Sequence, residues 1–128
     1  MSYYFSKRVS GSFESAVARV TEALQKEGFG VLTEIDVHAV MMKKLGVTMK
    51  PYKILGACNP QFAHKALEVE NKIGTMLPCN VIVQQLSDTD IEVSAVDPIS
   101  SMQAVGNAAL GEIAGDVQSK LKGVIDSL

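Results

Sequence analysis

Tryptophan is absent from this chain of 128 residues and aromatics make up only 5% of it, so a core has to be built from Val, Leu, Ile, Ala and six Met. There are only two cysteines, Cys58 and Cys79, too few for a disulfide scaffold, and a chain of this length does not need one. No apolar run approaches the roughly 20 residues that span a bilayer. Met1 to Val9 shows neither the apolar stretch nor the cleavage site of a secretory signal. The expectation is a cytoplasmic, reduced protein without a membrane partner. Phosphate loops, dinucleotide fingerprints, nucleophile elbows and paired-histidine zinc motifs are all missing, and no cofactor is expected. Twelve basic against fourteen acidic residues leave a net charge of −2, which argues against a dedicated nucleic-acid binder.

One absence is local. From Val37 to Leu67 there is no carboxylate, while five lysines (Lys43, Lys44, Lys50, Lys53, Lys65) and both histidines fall there. With −2 overall, the rest of the chain carries −7. A solvated lysine face explains such a stretch, and so does a site for a small anion.

What is present suffices for one packed domain over residues 1–128: 47% of the residues are hydrophobic and 20% charged. Tyr3 to Val9 reads as a strand. Ser12 is placed to cap a helix whose apolar residues Phe13, Ala16, Val17, Val20 and Leu24 follow helical spacing. Gly28 ends it. Gly30 to Ile35 forms the second strand, and Asp36 is positioned to cap a short helix from Val37 to Leu45 that Gly46 closes. Tyr52 to Cys58 is the third strand, and Asn59-Pro60 is a strong helix start, with Asn as cap and Pro losing no N–H at the first helical position. Val81 to Leu86 and Ile91 to Val96 form a hairpin across Ser87 to Asp90. Asp97-Pro98 starts an apolar stripe from Ile99 to Val124, with an interruption at Val105-Gly106-Asn107; Gly111 and Gly115 within it suggest close approach to a neighbour. The order β-α-β-α-β-α-β-β-α predicts an α+β layered domain, a mixed sheet of about five strands covered by helices.

Cys58 is the side chain best placed for chemistry, at the end of a strand and directly before a helix start, where partial positive charge favours a thiolate. Lys53 and Lys65 are near in sequence, and His64 or Lys53 could activate the thiol. Equally, Cys58 reads as a small buried hydrophobe. Cys79 follows Pro78 at the entrance to the fourth strand, and if the third and fourth strands are neighbours the two thiols share a sheet edge. His38 and His64 with the cysteines lack the close pairing of a zinc set, and no metal site is expected. Glu34 and Asp36 fall on one face of the second strand, a pairing that suits acid–base work.

The blocks Gly28-Phe29-Gly30-Val31-Leu32-Thr33-Glu34-Ile35-Asp36, Lys44-Leu45-Gly46, Tyr52-Lys53-Ile54-Leu55-Gly56-Ala57-Cys58-Asn59-Pro60 and Leu77-Pro78-Cys79-Asn80-Val81 resemble, in order and over nearly the whole chain, the bacterial and archaeal family catalogued as domain of unknown function 302 (DUF302). The resemblance implies a compact α/β domain that forms homodimers, with no established activity and an association of some members with sulfur-handling proteins. It directs attention to Lys53, Cys58, Asn59, Pro60, Pro78, Cys79 and Asn80. The glycine-bearing last helix and the exposed edges of a small sheet point to a homodimer as well. Three readings follow. One is a dimeric binding module for a small anionic or sulfur-containing ligand, held by Lys53, Cys58, Asn59, Cys79 and Asn80. The second is a thiol-dependent enzyme that transfers sulfur through Cys58. The third is a structural or interaction protein with its cysteines in the core.

Overall fold

A computed structural model describes residues 2–128. The strands are β1 (Tyr4–Val9), β2 (Gly30–Asp36), β3 (Tyr52–Cys58), β4 (Cys79–Gln85) and β5 (Ile91–Val96). The helices are α1 (Phe13–Lys26), α2 (Val37–Leu45), α3 (Pro60–Val69), α4 (Pro98–Met102) and α5 (Ala109–Asp126), with single 3-10 turns at Ile73–Met76 and Gln103–Val105. This is an α+β domain with one five-stranded sheet in the order β1-β5-β4-β3-β2.

All four pairings are antiparallel, so the expected mixed sheet is corrected to an antiparallel one. The hairpin already required one antiparallel pair. The other departures arise because α2 and α3 each return the chain to the adjacent strand position in the opposite direction, rather than crossing over to a parallel one.

Alternation decides which residues form the core. Leu55 and Ala57 of β3 pair with Val81 and Cys79 of β4, and Val83 pairs with Val93 of β5, so their side chains share one face. That face is sealed by Ala16, Val20 and Leu24 of α1 and by Val117, Leu121, Val124 and Ile125 of α5. A smaller cluster of Ala66, Ile73, Met102, Leu110 and Ala114 joins α3, α4 and the first half of α5.

The caps differ from one another. Ser12 accepts from the Ser15 N–H, and the Ser15 hydroxyl accepts in return from the Ser12 N–H, a reciprocal pair that sets the start of α1. Asp97 accepts from the Ile99 N–H as anticipated. Asp36 and Asn59 occupy the cap positions of α2 and α3, but neither side chain makes a cap hydrogen bond, contrary to the sequence expectation. Both are drawn off by tertiary partners. The interruption at Gly106 is real: the chain adopts a left-handed conformation there, with φ of 70°. Gly111 and Gly115 are not close-approach positions, because a Cβ at either meets nothing within 4 Å.

Candidate functional site

Adjacency of β3 and β4 answers the main question the sequence leaves open. Ala57 pairs directly with Cys79, which puts Cys58 and Cys79 at the same end of neighbouring strands. Both line one cavity of about 30 Å³ together with Phe29, Phe62, Pro78 and Val117. The space is sufficient for one water-sized group. Both cysteines are free thiols; Cys58 is partly exposed and Cys79 buried in the core. Burial, with the neighbouring Cys58 as the lesser cause, pushes the Cys79 thiol up from 9.0 to about 11. Loss of hydration penalises the charged thiolate, so Cys79 is a neutral thiol at physiological pH.

Asn59 also lines the cavity. Its amide turns away from α3 and reaches the Glu27 carbonyl at 3.5 Å, across the C-terminus of α1. Gly28 permits this approach: it has φ of 86°, and a Cβ there would stand 3.1 Å from the Asn59 Nδ2. With Asn59 engaged elsewhere, the first turn of α3 has no side-chain cap beside Cys58, and Pro60 occupies its first position.

Two of the expected site residues lie elsewhere. Lys53 is five residues from Cys58 along β3, roughly 17 Å at strand rise. It bridges Asp36 at 3.3 Å and Glu34 at 3.8 Å with its own side chain mostly buried. The two carboxylates do share a face, and both pair with Lys53 there. Asn80 pairs with Gly56 and is exposed, lining a groove on the opposite face of the sheet from the core. His64 is exposed on α3, pairs with Glu68 at 3.4 Å and does not line the cavity. Nor does Lys65, whose ammonium stands 5.8 Å from the Phe62 ring centre. His38 has a structural partner instead: its Nδ1 accepts from the Tyr52 N–H at 3.1 Å. Among the described residues no group of three or more His, Cys, Asp or Glu could hold a metal ion.

Phe29 and Phe62 were not expected as site residues. Phe62 carries a sequence signal, its place on the apolar stripe of α3 with Ala66, but that stripe reads the same for core packing. Pro78 follows a cis peptide bond after Leu77 and borders the cavity. It also packs against the sheet: a Cβ at Gly56 would come within 2.8 Å of its Cγ and would collide with Thr33 Oγ1.

Fold and site together define a single-sheet α+β domain with a thiol-lined apolar cavity at one end of its central strands. The chain belongs to the family described as domain of unknown function DUF302, whose profile matches residues 5–128. A crystal structure of an uncharacterized conserved DUF302 protein from Bacillus stearothermophilus is similar at 31% identity, with a TM-score of 0.91 and 98% of each chain covered. None of the curated proteins compared matches this chain. No helix among the described residues is long and apolar enough to cross a membrane.

Proposed function

We propose that this domain is a binding module for a small sulfur-containing ligand, taken up at Cys58. One observation carries the reading: Cys58, partly exposed, and Cys79, buried, line the same small apolar cavity. Thiol chemistry at Cys58 has room behind it for about one added atom. The uncapped first turn of α3 presents amide N–H groups to any negative charge that forms there. A free multiply charged anion is less well served, because the lysine expected to neutralise it is committed to Asp36 and Glu34.

In the simplest uptake, the Cys58 thiolate attacks the terminal sulfur of an inorganic polysulfide. A new S–S bond forms to Cys58, the adjacent S–S bond of the polysulfide breaks, and its electron pair leaves with the shortened polysulfide. No external oxidant is needed, and Cys58 ends as a persulfide. The binding reading stands above the enzymatic one because the two groups expected to activate Cys58, His64 and Lys53, lie outside the cavity.

Mass spectrometry of the intact chain after exposure to sodium polysulfide tests this. The expected result is a sulfur adduct on Cys58 that is absent in Cys58→Ser and retained in Cys79→Ala. A wild-type chain without adduct, while its Cys58 still reacts with iodoacetamide, overturns the proposal.

A further inference from the structure

The chain has three tyrosines, Tyr3, Tyr4 and Tyr52, and all of them line one groove of about 430 Å³ on the face of the sheet opposite the core. None of its four phenylalanines does. That volume falls within the range of small-molecule sites, about 300–1,000 Å³. Strand register builds the groove. Tyr4 pairs with Val96, Ser94 pairs with Ile82, and Gln84 stands between Glu92 and Tyr52, so these side chains share the open face. His38 fixes the Tyr52 end, because its Nδ1 accepts from the Tyr52 N–H at 3.1 Å. The floor is apolar at Ile82 and Val96 and polar at Ser94, Gln84 and Glu92.

The lining is short of a partner in two ways. The first is a hydroxyl. Ser94 is only 6% exposed, and no hydrogen bond partners its side chain. Among the described residues no fully buried side-chain oxygen lacks a partner, so the Ser94 Oγ opens into the groove that the residue lines. The second is charge. Glu92 is the one ionised residue in the lining, and no lysine or arginine lines it. Arg8 stands opposite Glu92 in the β1–β5 pairing, but its guanidinium is 3.5 Å from Asp90 and it does not line the groove. With Arg8 and Asp90 counted beside Glu92, that end of the groove has one more carboxylate than it has cations. Glu92 accepts from the Gln84 amide at 3.5 Å, which leaves its other oxygen and the Gln84 amide oxygen without a partner among the described residues. Tyrosine ring faces are electronegative as well, and the cation that stands over a ring in this chain is Lys65 over Phe62, outside the groove.

We propose that this groove binds a small protonated primary amine with an apolar body. The ammonium has three N–H donors, and it meets three acceptors: the Glu92 carboxylate, the Ser94 hydroxyl oxygen and the Gln84 amide oxygen. Ser94 and Glu92 are two residues apart on β5, about 7 Å at strand rise, so one ammonium between them reaches both. The hydrocarbon body lies on Ile82 and Val96 between the tyrosine rings, whose faces attract the positive charge. A neutral sugar, the other ligand that suits tyrosines beside amides, leaves Glu92 without a counter-charge. The groove shares no lining residue with the Cys58 cavity, so the two sites stand or fall separately.

Titration of the full chain with n-hexylammonium chloride, 1-hexanol or sodium hexanoate tests this, followed by tyrosine emission and by the amide NMR resonances of Ser94 and Glu92. The chain has no Trp, so its tyrosine emission reports the groove alone. Saturable changes in both signals are expected with the amine, binding about 10-fold weaker or worse with the alcohol, and none with the anion. Glu92→Gln and Ser94→Ala are each expected to weaken amine binding by about 10-fold or more, the worth of a hydrogen bond to a charged group. Circular dichroism checks that both variants fold. Glu112→Gln removes a carboxylate outside the groove and is expected to change nothing. The absence of a saturable response to the amine overturns the proposal, and so does equal binding of the alcohol, undiminished binding by either groove variant or equal weakening by Glu112→Gln. Binding that appears only in Arg8→Gln overturns it too, since Arg8 would then fill the ammonium position itself. Tighter binding of methyl glucoside than of the amine overturns it in favour of a sugar.

Discussion

On β3, Leu55 and Ala57 are sealed under the helices, while Tyr52 and Ile54, their neighbours in sequence, are half-buried on the face that carries the groove. On β4 the same contrast separates Val81 and Val83 from Ile82. The two faces use similar residue types, and their difference lies in what covers them. α1 and α5 present continuous apolar stripes to one face, whereas no helix residue lines the groove on the other. A β-strand with hydrophobic residues on both faces is read as fully buried by composition. Here it is buried on one face and half-buried on the other.

Substitutions on adjacent residues sharpen that contrast. Leu55→Ala is expected to destabilise the fold by about 2–5 kcal/mol, because it opens a cavity in a core that cannot collapse around it. Ile54→Ala is expected to lose less than about 1.5 kcal/mol. Denaturant titration of the two variants side by side checks the pair, and equal losses would remove the distinction between the faces.

The next effect concerns Cys79 on the covered face. Burial holds its folded pKa at about 11, above the ordinary 9.0 of a solvated thiol. The unfolded chain therefore loses this proton first as pH rises. The stability linked to it is fully present below about pH 9 and is lost progressively as pH rises through about 11, by about 2–3 kcal/mol. Unfolding measured from pH 8 to 11 should show a downward slope that is shallower in Cys79→Ala. Identical slopes would mean that Cys79 is not desolvated.

Gly56 tests whether the groove face tolerates added volume everywhere. Gly56→Ala is expected to destabilise the fold by about 1–3 kcal/mol, since the new methyl meets Pro78 and Thr33. A thermal melt matching the parent chain would show that Pro78 yields. The smallest effect compares the two ends of β3. Lys53→Ala is expected to leave the iodoacetamide rate of Cys58 nearly unchanged, because the two side chains lie further apart than a Debye length of about 8–10 Å. A clear fall in that rate would return Lys53 to the thiol site.

Much of the architecture was legible along the chain. The bounds of β3 and α2, the Ser12 and Asp97 caps and the break at Gly106 follow from local chemistry: alternation, side chains that mimic backbone acceptors, and residues that tolerate left-handed geometry. The 3-10 turn at Ile73–Met76 was not anticipated, since a single tight turn carries no periodic signal. The site was legible in part. Cys58, Asn59 and Cys79 converge, but Lys53 and Asn80 do not, because nearness in sequence along a strand means distance in space, and successive residues face opposite sides.

Asn59 and Asp36 mark the boundary. Sequence alone determined that helices begin after them, because Pro60 and the apolar patterns beyond do not depend on what the side chains bind. It also determined two thiols and a carboxylate-free middle. Only the tertiary structure decided that Asn59 reaches Glu27, that Asp36 pairs with Lys53, and that the two cysteines line one cavity at the end of β3 and β4. The reason is the antiparallel sheet order. Strand pairing sets which distant residues become neighbours, and a polar side chain with two available partners takes the one that the pairing brings within reach.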